Sequence, residues 1–322
     1  MSIWPTKRQP KADIMKRSGK DTARISRIRQ PGGSPSKTSQ QPINALNPSA
    51  FSIDAAEKWA LERAWERPPE PFRLTAYFHI DYIVQQVPQE RKTRYLARMA
   101  QSDENYGLAF GLAPSPPNLD PDFVGKDVRQ ILKDRLCRDR IDRTAFVDLV
   151  MGHLSQSGNK HVILEGPERD KYFERARIFA EEAEKIIQRK GVKGNNAGAL
   201  VIGASEGIIS GLVNRGFEVS ATDLSPSIVG RVLGGVKVSN GRFANAPLMK
   251  KADLAIITGM TLSNGTLLGL MKLAQQYNTS TMIWAITGTN FGQYYTEHGV
   301  DCVISDRAAF HRLPGSARIG IW

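Results

Sequence analysis

The chain has 322 residues, 41% of them hydrophobic, and a formal net charge of +12. This hydrophobic content is normal for a globular protein, and no run approaches the ~20 apolar residues that cross a bilayer. We therefore expect a cytoplasmic protein with no membrane partner. Two cysteines, Cys137 and Cys302, are too few for a cysteine-rich zinc site and indicate free thiols in a reducing compartment.

Residues 1–50 carry most of the positive charge. They contain ten lysines and arginines against Asp13 and Asp21, which gives +8 of the total +12. They are also rich in Ser, Gln, Pro and Gly, so they cannot bury enough apolar surface to offset their ordering entropy, and we expect a disordered basic tail. A solvated extension, an arm for nucleic acid and an organellar transit peptide all fit this composition.

Residues 51–158 are predicted to form a small α+β domain. Its first helix has Asp54 as a candidate N-cap. His79 and Asp81 share one face of the first strand and are residue types that begin a metal or acid/base site, although a structural histidine is the simpler interpretation. This first strand covers 74–84. After it the pattern predicts a glycine-rich strand or turn over 106–114 and two helices over about 127–137 and 140–156.

Residues 159–322 are predicted to form a Rossmann-like domain. After a long amphipathic helix over 168–190 come a buried strand at 199–202, the small-residue turn 203–207, a helix, and a second strand that ends on Asp223. A glycine turn followed about twenty residues later by an acid at a strand end is the first unit of a Rossmann-like sheet.

The glycine turn argues against a pyrophosphate ligand. Ser205 stands where the dinucleotide fingerprint has its middle glycine, which lets the backbone approach a pyrophosphate. Glu206 follows it and would repel a phosphate. The pattern favours a ligand without pyrophosphate, such as S-adenosylmethionine, over NAD, while a turn that holds no cofactor is also consistent with it.

Strands and helices continue to alternate beyond Asp223. The pattern predicts a short helix at Ser225–Ser227, a weak strand at 236–238 and a connection at Ala246–Lys251. The later elements are strands over 253–259, 281–286, 300–304 and 318–322, and helices over 262–277 and 291–298. The predicted fold is therefore a mostly parallel α/β sheet with helices on both faces, preceded by the small α+β domain and the tail.

Ligands of such sheets bind beyond the carboxyl ends of the strands, where the three loops over 203–207, 259–266 and 287–290 are expected to meet. The loop over 258–266 is rich in hydroxyl, amide and glycine residues, and helix capping by Thr261 or Ser263 accounts for only part of it. No familiar catalytic motif is present, which leaves open whether the chain is an enzyme. The candidate binding residues are Gly203, Ser205, Gly207, Asp223, Thr258, Gly259, Thr261, Asn264, Gly265, Thr266 and Thr287.

The segment 252–274, ADLAIITGMTLSNGTLLGLMKLA, resembles the heavy-metal-chelation domain family. That family has a T-G-x-T-L-x-N-G-T loop after a strand that begins with Asp, and the similarity covers about 197–306. The resemblance implies a Rossmann-like domain beside a smaller domain of enolase N-terminal-like shape. Chelation by this chain would need oxygen or nitrogen ligands, and the candidates are Asp223, Asp253, His298 and Asp306.

Three functional hypotheses follow. The first is a protein that binds a small polar metabolite or a metal, as an accessory in metal or cofactor handling. The second is a methyltransferase-like enzyme that uses S-adenosylmethionine, with Asp223 accepting the ribose hydroxyls. The third is a non-catalytic module that the basic tail recruits to nucleic acid. A divalent metal and S-adenosylmethionine are thus the candidate cofactors.

Overall fold

The computed structural model describes residues 45–66, 72–84, 93–103, 105–112, 123–137, 139–154, 160–192, 196–306 and 316–322. All of them lie in one compact unit, Gln41–Trp322. The predicted basic tail lies almost entirely outside the described residues, and the domain boundary at 158 also stays a prediction. Residues 45–50, expected to end the tail, are folded, because Asn47 N–H donates to the His298 carbonyl oxygen and the Gln275 side-chain amide donates to the Leu46 carbonyl oxygen.

The first half of the described chain forms a three-stranded antiparallel sheet of order β1-β2-β3. Its elements are α1 Ile53–Trp65, β1 Ala76–Val84, β2 Thr93–Ser102, β3 Asn105–Leu112, α2 Val128–Lys133 and α3 Arg140–Leu154. Helix α3 packs closely on β3 because Gly107 has no side chain: a Cβ there would lie 2.0 Å from the Ala145 carbonyl oxygen. The glycines of this segment therefore belong to a strand rather than to a turn.

Two details of this half differ from the prediction. The N-cap of α1 is Ser52, whose hydroxyl oxygen accepts a backbone N–H at 3.1 Å, while Asp54 pairs with Arg143 at 2.7 Å. Strand β2 was not predicted because arginines interrupt its apolar pattern. One of them, Arg98, is only 2% exposed and pairs with Asp142 of α3 at 2.9 Å, which is how the strand accommodates a buried charge.

The second half builds a nine-stranded sheet of order β4-β12-β11-β10-β9-β5-β6-β8-β7. The pairings that join β11, β10, β9, β5, β6 and β8 are parallel, whereas β4, β12 and β7 pair antiparallel. This confirms the predicted fold class. The elements are β4 Lys160–Leu164, α4 Glu168–Arg189, β5 Gly198–Ile202, α5 Glu206–Val213, β6 Glu218–Asp223, β7 Val232–Leu233, β8 Val236–Asn240, α6 Gly241–Met249, β9 Leu254–Thr258, α7 Met260–Ser263, α8 Leu267–Tyr277, β10 Ser280–Ala285, α9 Gly292–Glu297, β11 Cys302–Asp306 and β12 Ala317–Ile321.

Several element boundaries in this half are corrected. The helix expected at Ser225–Ser227 is a turn, and the connection expected at Ala246–Lys251 is mostly the end of α6, which continues through Pro247. The single helix predicted over 262–277 is divided into α7 and α8, where Gly265 adopts a φ of 81°. Strand β4 was not predicted.

Apolar side chains cover both faces of the second sheet in two core clusters. On one face, Phe179 of α4 and Leu212 of α5 pack with residues of the strands. On the other face, Phe146 of α3 belongs to the same cluster as Ile283 of β10 and Tyr295 of α9. Because this cluster draws residues from both sheets, the two halves share one hydrophobic core.

The outer edge of β3 is closed by groups from the second half and from α3. Strand β3 pairs with β2 on one side only, so the backbone groups on its other side need partners. The partners that the structure gives are Asn290 Nδ2 to the Tyr106 carbonyl at 2.9 Å, Leu108 N–H to Asp148 Oδ2 at 2.8 Å, Gly288 N–H to the Leu108 carbonyl at 3.0 Å, Phe110 N–H to Thr287 Oγ1 at 2.9 Å, and the Ser263 hydroxyl to the Phe110 carbonyl at 2.5 Å.

Asp148 of α3 is the centre of this set. It is fully buried, and besides Leu108 it accepts Asn290 N–H at 2.8 Å and the Thr289 hydroxyl at 3.3 Å. A buried carboxylate is tolerated only where such donors surround it. The carboxylate therefore fastens the loop after β10 to the edge of β3.

We predict that Asp148→Ala lowers the free energy of unfolding by about 3 kcal/mol, because buried donors on two segments lose a charged acceptor. Asp148→Asn should cost less, since the amide oxygen still accepts. Urea unfolding monitored by circular dichroism measures both, with the exposed Glu218→Ala on β6 as the control expected within about 0.5 kcal/mol of wild type. An Asp148→Ala loss as small as that of the control would contradict the assignment.

Candidate functional site

A cleft of about 940 Å³ lies at the carboxyl edge of the second sheet. Ile202, Asp223, Thr258 and Trp284 line it from the ends of β5, β6, β9 and β10. The first sheet contributes another wall through Tyr95, Phe110 and Leu112. Both sheets thus bound one cleft, at the edge where Rossmann-like sheets bind their ligands.

Most of the predicted site residues meet in this cleft. Gly259 and Gly265 do not line it: a Cβ would lie 2.2 Å from the Thr287 carbonyl oxygen at Gly259, and 1.6 Å from Arg140 Nη1 at Gly265. Close packing therefore accounts for those two glycines. The predicted residues that line the cleft are Gly203, Ser205, Gly207, Asp223, Thr258, Thr261, Asn264, Thr266 and Thr287.

Asp223 fastens the glycine turn that precedes α5. Its Oδ2 accepts Ala204 N–H at 2.9 Å, and its Oδ1 accepts Ser225 N–H at 2.7 Å. Burial raises the pKa of Asp223 above its usual range, and the backbone donors, Ser225 first, only partly offset that rise. The carboxylate thus has a structural task beside any contact with a ligand.

Gly203 lets the turn come close to β9. Its φ is 85°, and a Cβ on it would lie 2.4 Å from Cγ2 of Thr258. A side chain at this position would meet both a disfavoured backbone conformation and a steric clash. The glycine is therefore explained by the turn itself, whether or not a ligand approaches it.

The loop over 258–266 satisfies most of its own polar groups. The Thr261 hydroxyl donates to the Thr258 carbonyl oxygen at 2.7 Å. Asn264 Oδ1 accepts both the N–H and the hydroxyl of Thr266, at 3.0 and 2.7 Å, an arrangement that closes the turn between α7 and α8. The sequence suggested that capping leaves Asn264 and Thr266 unexplained, and these hydrogen bonds show a local role for both.

Thr287 also has a structural partner, since its buried hydroxyl oxygen accepts Phe110 N–H. Two of the three predicted ligand loops are consequently tied to β3, through Thr287 and Ser263. The polar side chains that the sequence predicted as ligand contacts therefore have two roles. They line the cleft, and they hold its wall in place.

Sequence reasoning missed the arginines of the cleft, which are Arg169, Arg175, Arg231 and Arg242. Arg175 donates from Nε to Asp306 Oδ2 at 2.9 Å, and the side chains are 12% and 3% exposed. The sequence pattern of 168–190 predicts an amphipathic helix, whose charged face is expected to be solvated. The signal was present in the spacing of Arg169, Tyr172, Ala176 and Phe179, which follows one stripe of a helix that runs toward the cleft.

The candidate metal ligands do not come together. Asp253 accepts Gly198 N–H at 2.8 Å where β5 and β9 begin, at the far end from the cleft, and His298 Nδ1 lies 2.6 Å from the Tyr294 carbonyl oxygen. Asp223 and Asp306 line the cleft. Within the described part of the chain there is no group of three or more His, Cys, Asp or Glu residues that could hold a metal ion, so these residues do not fit a resident metal.

His79 and Asp81 do not form a site with the cleft. Asp81 pairs with Arg94 of β2 at 2.9 Å, and this hydrogen bond lowers the pKa of its carboxyl. The His79 ring packs edge-on against Tyr77, with ring centroids 4.9 Å apart. The interpretation of His79 as a structural histidine agrees with these contacts.

The fold and the cleft define a Rossmann-like α/β domain whose carboxyl edge is open to a small ligand. Residues 193–307 match the model of the DUF364 family, which is described as "putative heavy-metal chelation". The resemblance carried by the loop over 258–266 is thereby confirmed. Among the described residues, no helix has the length and hydropathy needed to span a membrane.

Solved structures of two DUF364 proteins are similar to this chain over most of its length. A DUF364 protein from Desulfitobacterium hafniense is 12% identical, with 83% of this chain and 98% of that chain covered and a TM-score of 0.47. One from Pyrococcus horikoshii is 11% identical, with 80% and 86% covered and a TM-score of 0.45. Among curated proteins, none matches the chain.

We predict that Gly203→Ala destabilises the chain more than Gly230→Ala. Both glycines have a similar positive φ, 85° and 87°, but no atom lies within 4 Å of a Cβ built on Gly230. Gly230→Ala should cost about 1 kcal/mol of unfolding free energy, the strain alone, and Gly203→Ala about 2 kcal/mol or more.

Thr258→Ser removes the clashing methyl group and should restore part of the loss in a double variant. Thermal and urea unfolding of the four variants measure this coupling. Equal losses for the two alanine variants, with no rescue, would show that the contact with Thr258 does not restrict position 203.

We predict that the stability of the chain falls, relative to Asp223→Asn, as pH rises from about 4. The raised pKa means that the folded chain still holds a proton which the unfolded chain has released. The stability that this protonated carboxyl contributes is fully present below the pKa of Asp223 in the unfolded chain. It is lost as pH rises through the pKa of Asp223 in the folded chain. Urea unfolding of both proteins in steps from about pH 3.5 to 7 measures the difference, and a constant difference would contradict the prediction.

Proposed function

We propose that this chain is a cytoplasmic protein that binds a small polar metabolite, or a metal already held by an organic chelator, as an accessory in metal or cofactor handling. One observation carries the proposal: the cleft of about 940 Å³ at the carboxyl edge of the parallel strands. Cofactor and metabolite sites typically have volumes of about 300–1,000 Å³ and occur at this edge of α/β sheets.

The proposal favours a chelate over a bare metal ion. Structural zinc takes four protein ligands, and calcium takes six or more oxygens. The described residues supply no group of three His, Cys, Asp or Glu side chains, so an organic chelator would have to bring the donors itself. The family description, which concerns heavy-metal chelation, is consistent with a ligand of this kind.

A second candidate function is that of a methyltransferase-like enzyme using S-adenosylmethionine. Asp223 supports it, because this residue ends β6 next to the glycine turn, where such enzymes contact a ribose. Its oxygens accept the backbone N–H groups of Ala204 and Ser225, and a carboxylate has about four acceptor sites, so capacity remains for a hydroxyl. Recruitment to nucleic acid through the basic tail stays a prediction outside the described residues.

Ser205→Trp is the variant that tests the proposal. Ser205 lines the cleft and is the N-cap residue of α5, but its side chain makes no capping hydrogen bond, so a Trp there fills the cleft without removing one. Val213→Trp is the matched control, since Val213 is 41% exposed at the other end of the same helix. Both variants add one large ring to α5.

We predict that S-adenosylhomocysteine or ferric citrate raises the melting temperature of the wild type by about 5 °C when present at about 100 times its dissociation constant. Val213→Trp should keep this shift and Ser205→Trp should lose it, while free Zn²⁺ and NAD give no shift. Differential scanning fluorimetry screens the probes, and calorimetry confirms the positive one. A shift that persists in Ser205→Trp, or no shift with either probe, would contradict the proposal.

A further inference from the structure

We infer that the cleft selects an organic anion with an apolar, ring-containing body. This inference rests on the proposed function, because it assumes that the cleft binds a small molecule, and it names the chemical class of that molecule. Three features carry it: the exposed arginines at the cleft, the engaged carboxylates, and the aromatic walls.

Two exposed arginines reach the cleft from helices on opposite faces of the second sheet. Arg169 lies in the first turn of α4, and Arg242 lies in the first turn of α6. Helix α4 belongs to the core cluster of one face, and α6 contributes Met249 to the cluster of the other. Among the described residues, neither arginine has a carboxylate partner. A ligand in the cleft would therefore meet positive charge from two sides.

The carboxylates of the cleft offset this charge only in part. Asp306 is paired with Arg175, and Asp223 accepts the backbone N–H groups of Ala204 and Ser225 in the turns beside it. Glu206 is the third carboxylate, and it lies in the first turn of α5, where the helix dipole stabilises a negative charge. With four arginines against three carboxylates, the lining favours an anion over a cation.

The walls of the cleft are mainly aromatic and aliphatic. Tyr172 lies against α5 at Gly207, where a Cβ would come within 2.9 Å of its ring, and it remains 38% exposed. Trp284 and Phe179 meet edge to face, with ring centroids 6.0 Å apart. A bare metal ion or a small inorganic anion would leave these surfaces in contact with water, so a ligand that fills the cleft must carry apolar surface of its own.

The inference is tested with two dyes that share an aromatic body and differ in charge. The anionic probe is 8-anilinonaphthalene-1-sulfonate, and the neutral probe is N-phenyl-1-naphthylamine. The test variant is the double substitution Arg169→Gln and Arg242→Gln. The control is Arg189→Gln with Arg318→Gln, which removes the same net charge from two exposed arginines that do not line the cleft.

Fluorescence titration should give a dissociation constant about tenfold lower for the anionic dye than for the neutral dye in the wild type, the effect of about 1.4 kcal/mol from charge contacts. The test variant should lose most of this preference and still bind the neutral dye. The control pair should keep the preference, and about 0.5 M NaCl should weaken it in the wild type.

Ser205→Trp separates the two levels of the claim. If it blocks both dyes and the preference depends on Arg169 and Arg242, the inference holds. Ser205→Trp could block both dyes while the wild type shows no preference for the anionic dye, or shows one that survives the arginine substitutions. In that case the proposed chemical class is wrong, and the cleft remains a small-molecule site. If Ser205→Trp leaves both dyes bound as in wild type, neither dye occupies the cleft and the inference fails, whereas the proposed function fails only if the melting-temperature shift with S-adenosylhomocysteine or ferric citrate is absent or persists in Ser205→Trp.

Discussion

The described structure depends on how the outer edge of β3 is satisfied. An edge strand exposes backbone donors and acceptors that must find partners. Here Leu108 and Phe110 each use both backbone groups toward the loop after β10, α7 and Asp148. Because Asp148 is fully buried, opening this edge would deprive a carboxylate of the donors that Leu108, Thr289 and Asn290 supply. The cost of that opening, together with the shared hydrophobic core, holds the two sheets together.

The cleft is a consequence of the same contacts. With β3 fixed against the carboxyl edge of the second sheet, Phe110 and Leu112 become one wall, and the glycine turn with Asp223 becomes the opposite part of the lining. Hydroxyl-rich loops that resemble ligand loops in the sequence therefore act first as connectors between sheets. The arginines of α4 and α6, which the connectors do not use, give the cleft its chemical character.

The sequence predicted the second sheet well, because buried strands, glycine turns and amphipathic helices are local patterns. It did not reveal that Ser263 and Thr287 bond to Phe110, since those partners are more than 150 residues apart and a hydroxyl gives no sign of which acceptor or donor it meets. It also missed β2, where Arg98 is buried against Asp142. A charged residue in a strand pattern normally indicates an exposed side chain. Arg98 is buried instead because Asp142, which is distant in sequence, pairs with it.

Native-state hydrogen exchange of the amides at Leu108, Phe110 and Asn290 tests the central claim most directly, since these N–H groups bond to Asp148 and Thr287 at the junction. If the junction opens only when the chain unfolds, these amides should exchange with the same free energy as amides in the buried strands β5 and β9. Exchange at a free energy several kcal/mol lower than that of β5 and β9 would show that β3 separates from the second sheet on its own, and would contradict the account.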